Sequence, residues 1–182
     1  EKFNSIIILN KFFIYKYYVQ YMETKMLKNK NDNRSISIID ILSTSNILHL
    51  HNINHKKQLF TKIANICEKN INIPKSKFLS GLLDKESDEN SGIGGGVAIP
   101  NIQIDGVKNM FGIFIKLNKS INFNSLDNEP VDIIFTLILP QNYHPIHLNI
   151  LAFLSRLFTN NKNLKNLRAS LDKETIYAIL TN

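Results

Sequence analysis

Along this chain the spacing of apolar residues changes several times, and each change predicts an element. Between residues 54 and 71, Leu59, Phe60, Ile63, Ile66 and Cys67 fall on one face of a helix, with Asn54 reading as its N-cap and Pro74 as its stop. A second helix is predicted over residues 76–84. Before these, Ile38, Ile39, Ile41 and Leu42 make a short amphipathic turn and residues 47–50 a short strand. Residues 92–96 read as a glycine loop leading into a strand at 97–99, and Asp105-Gly106 separates that strand from another at 110–117. Residues 131–139 (VDIIFTLIL) are almost continuously apolar and rich in Ile, Val and Phe, the signature of a strand buried on both faces, stopped by Pro140. The last third is helical: Ile146, Ile150, Leu151, Leu154, Leu157 and Phe158 form one stripe, Leu164, Leu167 and Leu171 continue it, and residues 176–180 close the chain. Helices bracketing several central strands imply a layered α/β fold with both sheet faces covered.

Composition refines this picture in three ways. With 182 residues, 43% of them apolar, the chain suffices for one full-sized core, and one domain is expected. The net charge of +7 is unevenly placed: residues 1–34 carry 7 basic against 3 acidic residues, leaving the body nearly balanced, and no basic face interleaved with aromatics follows, which argues against a nucleic-acid partner. The single cysteine, Cys67, excludes an internal disulfide framework and a cysteine-built zinc site, and it fits a reducing, cytoplasmic compartment. The 25 Asn and 28 Ile are spread along the whole sequence, so an isolated Asn says little, whereas the scarce Gly and Pro say more.

Residues 6–19 resemble a membrane segment, but Asn10, Lys11 and Lys16 interrupt them before the roughly 18 apolar residues a spanning helix needs. No small-residue cleavage motif follows, which disfavours a signal peptide. The expectation is that residues 1–34 are an appendage and linker, with the working protein starting at Met22 or Met26, and that the domain occupies residues 35–182.

The chemistry concentrates in Leu82-Leu83-Asp84-Lys85-Glu86 and in the stretch from Ser91-Gly92-Ile93-Gly94-Gly95-Gly96 through Val97-Ala98-Ile99-Pro100 to Asn101. Four glycines in five positions allow positive φ and close approach of amide groups to an anion, although glycines also make plain tight connections. The spacing matches neither a Walker phosphate loop nor a dinucleotide fingerprint. Taken whole, the stretch resembles the active-site segment of the type 2 IIA domains of the bacterial sugar phosphotransferase system. Phe123-Asn124-Ser125-Leu126-Asp127-Asn128-Glu129-Pro130-Val131-Asp132 is similar to that family's central segment, nearest to its nitrogen-regulatory branch. His147-Leu148 and the leucines that follow, then Leu167-Arg168-Ala169, are similar to its C-terminal helices.

That resemblance, over residues 36–182, implies a mixed β-sheet sandwiched between helical layers and a phosphohistidine carrier function. It implies that the position after Ala-Ile-Pro accepts the phosphoryl group as a histidine; this chain has Asn101 there. An amide nitrogen delocalises its lone pair and is a very poor nucleophile, so Asn101 is expected to be inactive. The family arginine is matched by Lys85, which keeps the charge but not the bidentate geometry. His147 matches a second family histidine and carries the alternative reading, an active phosphohistidine carrier. The candidate phosphate-binding set is Lys85, Ser91, Gly92, Gly94, Gly95 and Gly96. His144, His49, His51 and His55, and the acidic cluster Asp84, Glu86, Asp88 and Glu89, are read as solvent-facing polar residues, with no metal and no cofactor expected. The partners implied are the phosphocarrier protein of the system, bound even without phosphotransfer, and regulatory target proteins.

Overall fold

A computed structural model describes residues 37–125, 127–141 and 146–182, without the side chains of residues 146–148. The expected 1–34 appendage and His144 lie outside these residues. A capped turn, α1 (Ile38–Ile41), and a 3-10 turn (Thr44–Asn46) lead into β1 (Ile47–Leu50), followed by α2 (Lys56–Ile71) and α3 (Lys75–Asp88). Then come β2 (Gly92–Gly94), β3 (Val97–Ala98), β4 (Asn101–Ile104), β5 (Phe111–Ile121) and β6 (Val131–Pro140), and finally α4 (Ile146–Thr159), α5 (Asn161–Ala169) and α6 (Lys173–Thr181).

The strands form one mixed sheet in the order β1-β5-β6-β3-β2, with β4 also pairing with β6. The β5–β6 pair at its centre is antiparallel, whereas β1 runs parallel to β5, and β3 and β4 run parallel to β6. Each face of the sheet is covered, as the sequence pattern predicts. On one side α2 and α3 bury Leu59, Phe60, Ile63, Cys67, Phe78 and Leu82 against Ile113, Ile115, Ile134 and Ile138. On the other, α1 and α4 to α6 bury Ile41, Leu154, Phe158, Leu167 and Ile176 against Phe114, Phe135 and Leu137. Alternate residues of β6 enter opposite cores, which is why that strand reads as a continuous apolar run. Cys67 sits in the first core, where burial pushes its thiol pKa up to about 12 and leaves it unreactive.

The structure corrects several boundaries. Helix α2 is capped by His55, not Asn54: the His55 Nδ1 accepts the Gln58 amide at 3.2 Å, while Asn54 donates its own amide to the Gln58 side chain. Helix α3 runs on to Asp88, so the acidic cluster lies on its last turns and not in a loop. The glycine stretch is a small antiparallel hairpin, β2 against β3, and not a loop. Residues 101–104 form a strand the periodicity does not predict, and Leu171, expected on an apolar stripe, is 77% exposed between α5 and α6.

The break between β3 and β4 preserves register. Val97 lies opposite Ile133 and Asn101 opposite Leu137 at the same offset along β6. Pro100 interrupts the ladder because it has no N–H to give, yet its carbonyl still accepts the Leu137 amide at 2.9 Å. Asn101 is therefore placed by the sheet itself.

Candidate functional site

The last turns of α3, the entry to the hairpin and the first residue of β4 converge on a small pocket of about 40 Å³ lined by Lys85, Glu86, Glu89, Asn90, Ser91 and Asn101 over Leu82, Pro100 and Ile102. Helix α3 reaches this point because it packs closely on β4: a Cβ at Gly81 would stand 3.2 Å from Ile104 Cδ1. Of the residues singled out by sequence, the fold thus brings together Lys85, Ser91 and Asn101.

Asn101 is half-buried at the pocket, and its Nδ2 donates to the Ile99 carbonyl at 3.2 Å, so the amide nitrogen is engaged as a donor by the backbone. Lys85 is held over the pocket by an i,i+4 ion pair with Glu89, Nζ to Oε2 at 2.7 Å. The Ser91 hydroxyl donates to Glu86 Oε2 at 2.5 Å, and the Ser91 amide reaches the same oxygen at 3.3 Å.

Glu86 organises this end of the molecule, a role hidden in the sequence by its acidic neighbours. Its side chain is only 8% exposed, and its other oxygen accepts from Lys56 Nζ at 2.9 Å. Lys56 in turn donates to the Phe123 carbonyl at 3.0 Å and lies 5.1 Å from the centroid of the Phe123 ring. Asn90 adds a second tie, donating from Nδ2 to the Phe123 and Asn124 carbonyls while its Oδ1 accepts the Gly92 amide at 2.7 Å. Four elements are joined here by side chains. The helical spacing Phe78, Leu82, Glu86 is the signal that would have placed Glu86 on the buried face.

The glycines turn elsewhere. Gly94, Gly95 and Gly96 all have positive φ, and they face Asp127, Leu164 and Arg168 respectively. The Gly95 amide donates to Asp127 Oδ2 at 2.8 Å, and its carbonyl accepts from Arg168 Nη2 at 2.7 Å. Arg168 also grips Asp132 with two nitrogens, Nε to Oδ2 at 2.8 Å and Nη2 to Oδ1 at 2.7 Å, and this bond holds the guanidinium pKa above its usual value. The Gly95 amide and carbonyl are thus both answered from within the chain. His147 lies in the first turn of α4.

The other histidines do not behave as one solvated set. His55 is the α2 cap, and His49 pairs in register with Lys116 beneath the α5–α6 junction. Burial chiefly, then the Lys116 charge, lowers the His49 pKa, and its Nε2 is buried without a hydrogen-bond partner. Lys116 caps the end of α5 by donating to the carbonyls of Leu167, Arg168 and Ser170, the last at 2.9 Å, and burial lowers its own pKa. Among the described residues no group of three or more His, Cys, Asp or Glu side chains is arranged to hold a metal ion, and no helix is long and apolar enough to cross a membrane.

With this geometry in place, the comparisons with known proteins are direct. Residues 40–182 match the family model described as phosphoenolpyruvate-dependent sugar phosphotransferase system, EIIA 2. The nitrogen regulatory protein of Bradyrhizobium diazoefficiens is 33% identical over 143 residues, covering 79% of this chain and 94% of that protein. The crystal structure of nitrogen regulatory protein IIA-Ntr from Neisseria meningitidis superposes with a TM-score of 0.75 at 32% identity, covering 80% of this chain and 100% of that one. Enzyme IIAMTL of Escherichia coli, solved in complex with phosphorylated enzyme IIBMTL, shares the fold at a TM-score of 0.63 and 15% identity, covering 76% of this chain and 96% of that one. The mixed sheet between helical layers is therefore the type 2 IIA fold, and this chain belongs to the phosphotransferase system EIIA 2 family, alongside its nitrogen regulatory proteins.

Proposed function

We propose that this chain is a regulatory binding domain of the phosphotransferase system that does not accept a phosphoryl group at position 101. The observation that carries the reading is the side chain at the start of β4. A carboxamide stands at the pocket rim, with its nitrogen committed as a hydrogen-bond donor to the Ile99 carbonyl. Phosphoryl transfer needs an in-line nucleophile with an available lone pair, and this group has none at nitrogen.

The charges around it support the same reading. Lys85 is matched by Glu89, and Glu86 and Asp88 lie on the same helical turns, so the pocket rim offers no net positive charge to a dianionic group. In its partners the domain then resembles relatives such as IIAMTL, which was solved bound to another component of the system, and its contribution is occupancy of a regulatory target or of the phosphocarrier, in a cytoplasmic setting. The domain proper is residues 35–182.

Incubation with phosphoenolpyruvate and the upstream carriers tests this. The expected result is no label on the wild type and a gain of label in Asn101→His. Label on the wild type that disappears in His147→Ala would replace this reading with phosphotransfer through His147.

A further inference from the structure

Strand β4 has one partner, β6, and among the described residues no strand pairs with its outer edge. The Leu137 amide donates to the Pro100 carbonyl. In a parallel ladder the backbone alternates its direction residue by residue, so Ile102 and Ile104 also turn toward β6, and Asn101 and Gln103 turn their N–H and C=O groups outward. Buried donors and acceptors are almost always paired in folded proteins, and an open strand edge is a template for another backbone.

This edge opens into a groove of about 410 Å³ that adjoins the Asn101 pocket. Gly81, Lys85 and Asp88 of α3 form one wall, and Gln103, Leu139 and Gln141 the other, so the groove runs around the edge of the strand and not over one face. Its charged lining groups are Lys85 and Asp88, and with Lys85 paired to Glu89 the uncompensated charge on this wall is that of Asp88. The last turns of α3 carry Asp84, Asp88 and Glu89 on exposed positions, the single lysine among them is already paired with Glu89, and the C-terminal end of the helix adds its own partial negative charge. The exposed side-chain amide of Gln103 can donate to or accept from either face of a second backbone.

We propose that this groove receives an extended, basic segment of a partner protein, which adds a strand to β4 by pairing with the backbone of Asn101 and Gln103 and sets a lysine or arginine against Asp88 and Glu89. Backbone pairing supplies the fit, and the acidic wall selects the sign of the partner. The strand is only four residues long, which keeps the edge from recruiting long strands at random. The proposal rests on reading the chain as a binding domain, but it concerns the edge of β4, whereas phosphoryl labelling reads the side chain at position 101; either can fail without the other.

The test uses the full chain, isotopically labelled, and a capped octapeptide of alternating Lys and Val as probe. At saturation, hydrogen exchange at the Asn101 and Gln103 amides is expected to slow by about tenfold or more. Gln103→Pro, which removes one outward N–H, and the double variant Asp88→Lys with Glu89→Lys should each weaken binding by about tenfold, the latter in a way that high salt reproduces. A control peptide methylated on alternate backbone nitrogens requires no variant to fold. The proposal is overturned if that peptide, or a Glu-Val peptide, binds as tightly as the probe, or if exchange at the two amides does not change. It is also overturned if both amides are already protected in the free chain, which would mean that a segment of the chain itself covers the edge.

Discussion

The glycine hairpin and the Asn101 pocket are neighbours along the chain and opposites in construction. At the tip of the hairpin the Gly95 amide is answered by Asp127, its carbonyl by Arg168, and Arg168 by Asp132. The pocket and its groove, by contrast, face outward with an amide side chain, a lysine paired at the surface and a strand edge that no other described strand joins. The difference teaches that glycine richness at this point in the chain goes with close internal packing, whereas the surface proposed to meet another molecule lies a few residues later.

Substitutions sharpen that contrast when ordered by expected size. Gly96→Ala should cost most, about 3 kcal/mol in denaturant unfolding, because φ is +78° there and a Cβ would run into the Arg168 guanidinium and the Asp132 carboxylate. It should leave the pocket's shape intact, and an equal loss of peptide or partner binding would erase the distinction between the two regions. Glu86→Ala bridges the two and should cost about 2 kcal/mol, less than a fully buried pair because Lys56 keeps the Phe123 carbonyl and some solvent. Since Ser91 loses its acceptor as well, the hairpin entry should also show faster hydrogen exchange.

His49 provides a check remote from both regions. Its folded pKa is depressed below the ordinary 6.5, so the unfolded chain binds the proton more readily. The corresponding stability is present above pH 6.5 and is lost as pH falls through the folded pKa, and His49→Gln should flatten the stability curve in that window. An unchanged slope would show that burial of the imidazole has no such consequence. Smallest of all, Lys85→Ala should change stability by no more than about 0.5 kcal/mol, because its ion pair with Glu89 is exposed. A larger loss by thermal unfolding would mean that the pocket rim is as tightly built as the hairpin.

The elements legible in the sequence were those with a strong period. The burial of β6 on both faces follows from its continuous apolar run, the α2 stripe and the helical last third follow from spacing, and the family resemblance supplied the mixed sheet. What escaped was governed by hydrogen bonds. The strand at Asn101–Ile104 is short and follows a proline, so no pattern marks it, and only pairing with β6 makes it a strand. Glu86 looked like one carboxylate in a charged run because its partners, Lys56 and Ser91, come from other parts of the chain. Asparagine is abundant along the whole chain, yet among the described residues all four non-glycine positions with positive φ, at 52, 72, 124 and 128, are asparagines. Enrichment along the whole chain dilutes a turn signal without removing its physics.

The interruption at Pro100 has a final consequence. Because the two strand pieces flanking it remain in step along β6, the site after the proline is a fixed socket whose location does not depend on which residue fills it. On the proposed reading, a single codon change would install or delete an imidazole there while the scaffold stays put, a short evolutionary step between a carrier and a silent binding protein.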